Sequence, residues 1–496
     1  MDSIWTQTVT LPAFPALEGH VQADAAVIGG GITGLLTAHL LRREGVSVVL
    51  LEADRVGGGQ TNRTTAKLTA QHGLKYHSLI QQVGIKTAGQ YARANLEAVE
   101  RLRRLVKEWN INCDFQDCTA YLYTQGPPAA LVAEYNACRR LGMDVFLTKD
   151  TQLPFPAQAL GLRNQALFHP LKLLAALLDG LTVFEHSRVL EVKGHTLRTE
   201  QGSVTAGTII FACHYPFVNF PGWYFLRQHQ ERSYVLALEG AGAMGDCYLG
   251  LDGAGLSFRP LGDLLLLGGG GHRTGENRQG GKYAELVRAA EGFWPGCRVV
   301  SRWSAQDCMP MDGIPYIGSF SKNRPDWLVA TGFQKWGMTS SVIAAEVLSN
   351  LVLGRKLSPD HAVFSPQRFH GKASVKQLAG DTIQAVRGLS RRVLAPGRIP
   401  AETLPAGHGG IVKLNGEKVG VYRTEDGTLL AVSVKCPHLG CQLEWNPDEK
   451  SWDCPCHGSR FDVYGHLLDG PAQKDGECQE EIAGCNTKKL QLPGSD

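Results

Sequence analysis

The 496-residue sequence has no long apolar run. Leu171 to Leu178 and Leu264 to Leu267 fall far short of the roughly 20 residues that cross a bilayer, so no membrane span is expected. Blocks of five or more like charges are also missing, and a net charge of +3 gives no argument for nucleic acid or an anionic membrane as partner. The segment from Met1 to Val21 holds Asp2 and Glu18 and lacks a basic region followed by an apolar core. It does not read as a secretory leader, and a cytoplasmic location is the expectation. No internal repeat is evident. What remains is an ordinary globular composition, 43% hydrophobic and 20% charged, over a length suited to about two to four domains, each able to bury a core.

Cysteine is the exception, at thirteen residues. Nine of them, at 113, 118, 138, 213, 247, 297, 308, 478 and 485, show no paired spacing, and scattered reduced thiols are the default in a cytoplasmic chain. The other four crowd between Cys436 and Cys456, which points to metal rather than a disulfide framework.

Near the N-terminus, Ala25 to Ile28 reads as a strand, Gly29 to Gly31 as a tight turn, and Ile32 onward as a helix with Gly45 as its C-cap. A second apolar run from Val46 ends at Glu52, completing a βαβ unit and implying a parallel sheet. From about Tyr121 to Gly371, strand-like runs (Thr208 to Phe211, Ser233 to Leu238, Leu264 to Leu267) mix with helical ones (Lys172 to Leu178, Ser341 to Leu353) in one large body. An amphipathic stretch from about Ser374 to Ala395 reads as a docked linker helix rather than a membrane-surface helix. After Thr403, short alternating runs with turn signals indicate an all-β domain of about ninety residues.

Gly29-Gly30-Gly31-Ile32-Thr33-Gly34 is a G-x-G-x-x-G between a strand and a helix, with Glu52 closing the next strand. Such glycines let the backbone approach a pyrophosphate at the helix N-terminus, and Glu52 would take ribose hydroxyls. The fingerprint alone does not separate FAD from NAD. The following loop, Arg55 to Lys67, resembles the segment after that Glu in the D-amino-acid oxidase superfamily of flavoproteins. Three later stretches resemble the superfamily in order: Thr208 to Cys213, the D-G-x-P-x-I-G-like Asp312 to Gly318, and Leu328 to Phe333 followed by Gly337-Met338-Thr339. The resemblance covers about residues 20 to 360. It implies a Rossmann-like FAD-binding domain with an interleaved mixed-sheet substrate domain. FAD would be held by Gly29, Gly30, Gly31, Ile32, Thr33, Gly34, Glu52, Ala53, Gly59, Gln60, Thr61, Asn62, Thr65, Gly332, Gly337, Met338 and Thr339. Cys308 does not match the spacing of the flavin-linking cysteine of sarcosine oxidases, so the FAD is expected to be non-covalent.

Cys436-Pro437-His438 and Cys454-Pro455-Cys456-His457 supply two thiolates and two imidazoles. Zinc accepts such a set, but the Cys-x-His spacing is unlike a zinc finger, and each loop carries an additional Cys. The stretch resembles the Rieske family, in which Cys436 and Cys454 would hold one iron of a [2Fe-2S] cluster and His438 and His457 the other. The same resemblance makes Cys441 and Cys456 a loop-to-loop disulfide and Gly470-Pro471-Ala472 the shielding proline loop. High-potential members have a Ser and, two residues later, a Tyr that donate to the cluster sulfurs. Ser459 is kept, but Phe461 stands at the Tyr position, which implies a lower potential.

The full-length resemblance is to bacterial FAD-dependent oxidoreductases of this superfamily with a C-terminal Rieske domain. Expected limits are 1–372 for the oxidoreductase domain, 373–401 for the linker and 402–496 for the Rieske domain. The resemblance implies hydride removal from the carbon beside an amine nitrogen, giving an imine that hydrolyses. Relatives acting on amino acids have an Arg about five residues before the Asp of D-G-x-P, and here that position is Asp307, which implies a cationic amine substrate. Because a Rieske centre passes single electrons, a dehydrogenase draining to an external acceptor is expected rather than an oxidase. Two alternatives stay open. One is an NAD(P)H-dependent reductase, for which the best second fingerprint, Gly268 to Gly271, is incomplete; the other is a redox-sensing module without turnover.

Overall fold

The computed structural model describes residues 3–253, 255–368, 403–414 and 417–476. The expected linker helix between Ser374 and Ala395, and the segment with Cys478 and Cys485, lie outside the described residues. The chain divides into two compact units, the first comprising 1–222, 233–271 and 283–374, the second 223–232, 272–282 and 375–496. Segments 223–232 and 272–282, inside the stretch expected to be oxidoreductase domain, therefore group with the C-terminal part of the chain.

In the first unit an eight-stranded sheet runs β16(Tyr316–Ser321), β17(Arg324–Thr331), β10(Gly202–Phe211), β1(Gly19–Ile28), β2(Val48–Leu51), β7(Thr182–Phe184), with β8(Glu191–Lys193) and β9(Thr196–Arg198) paired on β10. Strands β17, β10, β1, β2 and β7 are parallel. The C-terminal half of β1, Ala25 to Ile28, and all of β2 are buried, as befits central parallel strands covered on both faces. The cover includes α2(Ile32–Arg43), α3(Tyr76–Glu108), which is kinked at Gly84, and α7(Gly337–Val352), with α1(Ile4–Thr8), α4(Ala129–Arg140) and α5(Pro170–Leu177) at the margins. Helix α7 is apolar nearly all round (Val342, Ile343, Ala344, Ala345, Val347 and Leu348 are buried), so it packs as a core helix against α2 and α3.

The second sheet, of nine strands, is mixed: β15(Arg298–Pro310), β11(Gln228–Glu239), β14(Leu264–Arg273), β13(Ser257–Leu261), β12(Cys247–Gly250), β4(Gln116–Thr124), β6(Gln158–Leu167) and β3(Lys67–Leu68), with β5(Val145–Thr148) on β6. Its apolar face carries Tyr234, Leu236, Leu238, Phe258, Leu265 and Leu267, which pack with Tyr283, Leu286 and Ala290 of α6(Lys282–Phe293). The chain enters this sheet and returns to the first several times, which is the interleaving expected from the sequence.

The second unit holds two small antiparallel sheets, β18(Gly409–Leu414), β19(Glu417–Arg423), β20(Leu429–Ser433), and β21(Glu444–Asn446), β22(Ser451–Asp453), β23(Arg460–Phe461), β24(Leu467–Asp469). Their core centres on Trp445 and Trp452, opposite one another on β21 and β22 with ring centroids 5.0 Å apart, and it includes Cys436, Cys441, Cys454, Cys456 and Phe461. Among the described residues no helix is long and apolar enough to cross a membrane.

Candidate cofactor sites

At the end of β1 the chain turns through Gly29 at φ +112°, a conformation L side chains rarely adopt, and a Cβ there would lie 2.6 Å from the carbonyl oxygen of Ala212. One turn into α2, a Cβ on Gly34 would collide with the Gly29 carbonyl oxygen, so the helix can close on the turn only because both positions are glycine. The Gly30 N–H donates to Glu52 Oε2 at 2.7 Å, and the Asp54 N–H donates to Glu52 Oε1 at 3.0 Å. Burial pushes the Glu52 carboxyl up, against the pull of the backbone N–H groups of Asp54, Gly30 and Ala53.

The second predicted loop closes over the helix N-terminus. Gln60 to Asn62 form a short 3₁₀ turn, and the Ile32 N–H donates to Thr61 Oγ1 at 3.1 Å. Gln60 Oε1 accepts from the Gln306 N–H at 2.7 Å, which ties this loop to β15. Thr33 and Ser341 share a 2.7 Å hydroxyl contact that bonds α2 to α7. Thr339 Oγ1 accepts from the Thr69 N–H at 3.0 Å and donates to the Thr69 carbonyl at 2.8 Å. Gly332 turns at φ +75° between β17 and α7. Segments 29–34 and 59–65 thus meet at the N-terminal end of α2, α7 is tied to it through Thr33 and Ser341, and the helix dipole at that end favours an anion. These glycine-lined backbones fit a dinucleotide.

In the second unit, Cys441 and Cys456 form a disulfide with Cα atoms 6.6 Å apart, which leaves Cys436 and Cys454 as the free thiols of the two loops. Each loop is a tight turn, with the Gly440 N–H on the Cys436 carbonyl and the Gly458 N–H on the Cys454 carbonyl, both at 2.9 Å. The His438 and His457 rings lie 4.8 Å apart and nearly perpendicular, with both Nδ1 atoms buried. The Cys454 thiol is held below its usual range because the Cys436 thiol donates to it and the backbone N–H groups of His457, Cys456 and Gly458 face its sulfur. Ser459 bonds the Cys436 sulfur and accepts from the Ala472 N–H at 3.0 Å, linking the proline loop to the cysteine loops. Phe461 is fully buried in the same core. Two sulfurs and two imidazoles so disposed fit a [2Fe-2S] cluster with mixed ligation.

Residues 24–351 match the FAD dependent oxidoreductase (DAO) family, and residues 398–486 match the Rieske [2Fe-2S] domain. The chain belongs to the FAD dependent oxidoreductase family. Its cofactors are FAD and a Rieske [2Fe-2S] cluster. This oxidoreductase is 37% identical over 95% of its length to the Rieske 2Fe-2S iron-sulfur protein YhfW of Bacillus subtilis (strain 168), covering 96% of that protein. It is 28% identical to the gamma-glutamylputrescine oxidoreductase of Escherichia coli (strain K12), over 40% of this chain and 50% of that one. Glycine oxidase from Geobacillus kaustophilus has the same fold, with a TM-score of 0.61 at 19% identity over 70% of this chain and 99% of the other.

Within the oxidoreductase, Asp307 is half-buried on β15. Strand alternation turns it away from the face of Cys308, whose Sγ meets the His214 carbonyl at 3.5 Å. Gly268 to Gly271 continue strand β14 and make no nucleotide-binding turn. Sequence reasoning missed the residues of 223–232 and 272–282 that hold the cluster loops. Gln230 Nε2 donates to the carbonyls of His457 (2.7 Å) and Gly470 (3.0 Å), and Arg273 donates to those of Pro455 (3.1 Å) and Cys456 (3.3 Å). Phe225 lies edge-on to His457 at 6.0 Å. Arg232, fully buried, pairs with Glu449 at 3.0 Å and with Asp469 at 3.9 Å, beside Arg460, which pairs with Asp453, Glu449 and Asp469. No local pattern around 230 or 273 signals these partners, some two hundred positions away.

Proposed function

We propose that this chain is a flavin-dependent dehydrogenase that oxidises an amine at the carbon next to its nitrogen and passes the electrons through the Rieske cluster to an external acceptor. The observation that carries it is the presence, in one chain, of a glycine-lined dinucleotide cradle and a buried Cys-His quartet. Bound FAD supplies a two-electron acceptor and the cluster a one-electron carrier, so each substrate oxidation requires two successive transfers to the outside partner.

In this reading Cys436 and Cys454 ligate one iron, and His438 and His457 the other. Segments 29–34, 52–53, 59–65 and 332–339 hold FAD without a covalent bond, in keeping with the inward-turned Cys308. The oxidoreductase domain would span 1–372 and the Rieske domain 402–496, with 223–232 and 272–282 serving as the latter's supports. Amine oxidation is favoured by the E. coli relative, whose name gives a glutamylated polyamine as its substrate. Asp307, in place of a carboxylate-clamping Arg, suits a substrate with cationic character.

The test is an anaerobic titration of the purified protein against a panel of primary and secondary amines, followed by absorbance and electron paramagnetic resonance. Bleaching of the flavin by an amine, then growth of the reduced-cluster signal, is the expected result. Bleaching by NADH but by no amine would replace the reading with a reductase, and a cluster that stays oxidised beside reduced flavin would remove its role as electron exit.

A further inference from the structure

Two cysteines with no spacing relation in the sequence meet in the mixed sheet. Strands β4 and β12 are parallel with Cys247 opposite Ala120, and β4 carries an irregularity between Cys118 and Ala120. The Thr119 N–H at that irregularity donates to Asp246 Oδ1 at 2.7 Å, which fixes the start of β12 against it. Cys118 and Cys247 are thereby brought into one buried cluster with Ala120 and Leu167; the Cys118 thiol donates to the Cys247 sulfur, which pushes Cys118 up and holds Cys247 below its usual range.

The surroundings are those of a reactive thiol pair rather than an inert one. Arg259 is 3% exposed, and its Nε and Nη1 are buried without a hydrogen-bond partner; only Nη2 is bonded, to the Phe168 carbonyl at 2.9 Å. Burial pushes Arg259 down to about 10 and Lys67 down to about 8, and the neighbouring Cys247 and Cys118 pull both back up. Two cations in a buried pocket favour a thiolate, the nucleophilic form of cysteine. Cys118, although buried, borders an open cleft of about 620 Å³ with Glu100, Arg103, Asp117, Arg163 and Asp246. Cys247, beside Lys67 and Arg259, is the sulfur placed to attack, and Cys118 is placed to resolve.

We propose that Cys118 and Cys247 form a redox-active dithiol, oxidised to an intramolecular disulfide by a hydroperoxide that enters this cleft. The thiolate sulfur of Cys247 attacks a peroxide oxygen and the O–O bond breaks; with one proton the products are a sulfenic acid and water, or an alcohol where the hydroperoxide is organic. The Cys118 sulfur then attacks the sulfenic sulfur, the S–S bond forms, and the hydroxyl leaves as water with the thiol proton of Cys118. Two thiols lose two electrons, one peroxide gains them, and a dithiol reductant reverses the change. Closure would staple β4 to β12 and remove the anion between Lys67 and Arg259.

Peptide mapping of the full-length holoprotein tests this. The protein is treated with hydrogen peroxide, alkylated while denatured, and digested without reduction. The expected product is a Cys118–Cys247 linked peptide that forms before Cys113, Cys138, Cys213, Cys297 or Cys308 is oxidised and disappears with dithiothreitol. In Cys118→Ser, Cys247 should accumulate as a sulfenic acid trapped by dimedone, whereas in Cys247→Ser, Cys118 should stay alkylatable. Recovery of both cysteines as alkylated thiols after Cys297 has oxidised overturns the proposal, and that measurement on the unmodified chain needs no variant to fold.

Discussion

At the scale of single residues, the consequences concern protons and electrons. Burial pushes His72 down to about 3 and His169 down to about 4, so both imidazoles are neutral in the folded protein, while an unfolded chain binds a proton on each below about 6.5. The unfolded state then holds more protons, and stability falls with falling pH, beginning near 6.5 and levelling off only below the folded values. Where both groups contribute fully, the slope approaches roughly 2.7 kcal/mol per pH unit. Urea unfolding between neutral pH and about pH 4.5 should show this slope, and His169→Gln should flatten it; an unchanged slope in the variant would remove His169 from the account. The second consequence concerns Phe461. Ser459 already faces the Cys436 sulfur, and Phe461→Tyr would offer a further hydroxyl to the same core. A hydrogen bond to a charged acceptor contributes roughly 1.5–3 kcal/mol, so the one-electron cluster potential should rise by at most about 65–130 mV. Protein-film voltammetry of the two forms measures it, and no change would mean that the added hydroxyl does not reach a sulfur.

At the scale of elements, the junction of β1 with α2 is where sequence and structure agree most closely, because all of its determinants are local. The glycine pattern, the helix spacing and Glu52 lie within about thirty residues, and each has one physical job. Gly34→Ala should break that junction, since its Cβ would meet the Gly29 carbonyl oxygen, which is backbone and cannot yield. The purified variant is expected to lose most of its bound flavin absorbance; full retention would show that α2 shifts freely on β1. The Cys-His loops were legible for the same reason, as two short turns with fixed spacing. Residues that work across sheets were not. Cys118 and Cys247 are neighbours because β4 and β12 are parallel partners, and nothing near either position announces that pairing. Helix α3, with its kink at Gly84, also went unread, because a charged, amphipathic stretch with an internal glycine sends opposing signals.

At the scale of the whole molecule, the second unit draws on three separate parts of the chain. Arg232 belongs to 223–232, and its charge is buried and paired with Glu449 and Asp469. Removing Arg232 leaves Glu449 and Asp469 to Arg460 alone, and losing a member of a buried ion network costs at most about 3–5 kcal/mol. Arg232→Met should therefore lower the urea midpoint at which the cluster's visible absorbance is lost, while the flavin transition stays near its original midpoint. A single unshifted transition would count against Arg232 as a support of the second unit.

That three-part construction also dictates an order of events during synthesis. Gln230, Arg232 and Arg273 leave the ribosome long before Glu449 and the loops at 436 and 454 exist. Until those residues are made these side chains have no partners in the second unit, and the Cys-His quartet cannot be assembled. Iron and sulfide can then be built in only after Cys454 and His457 have been made. A truncated product ending before Cys436 would carry a flavin cradle without a cluster site.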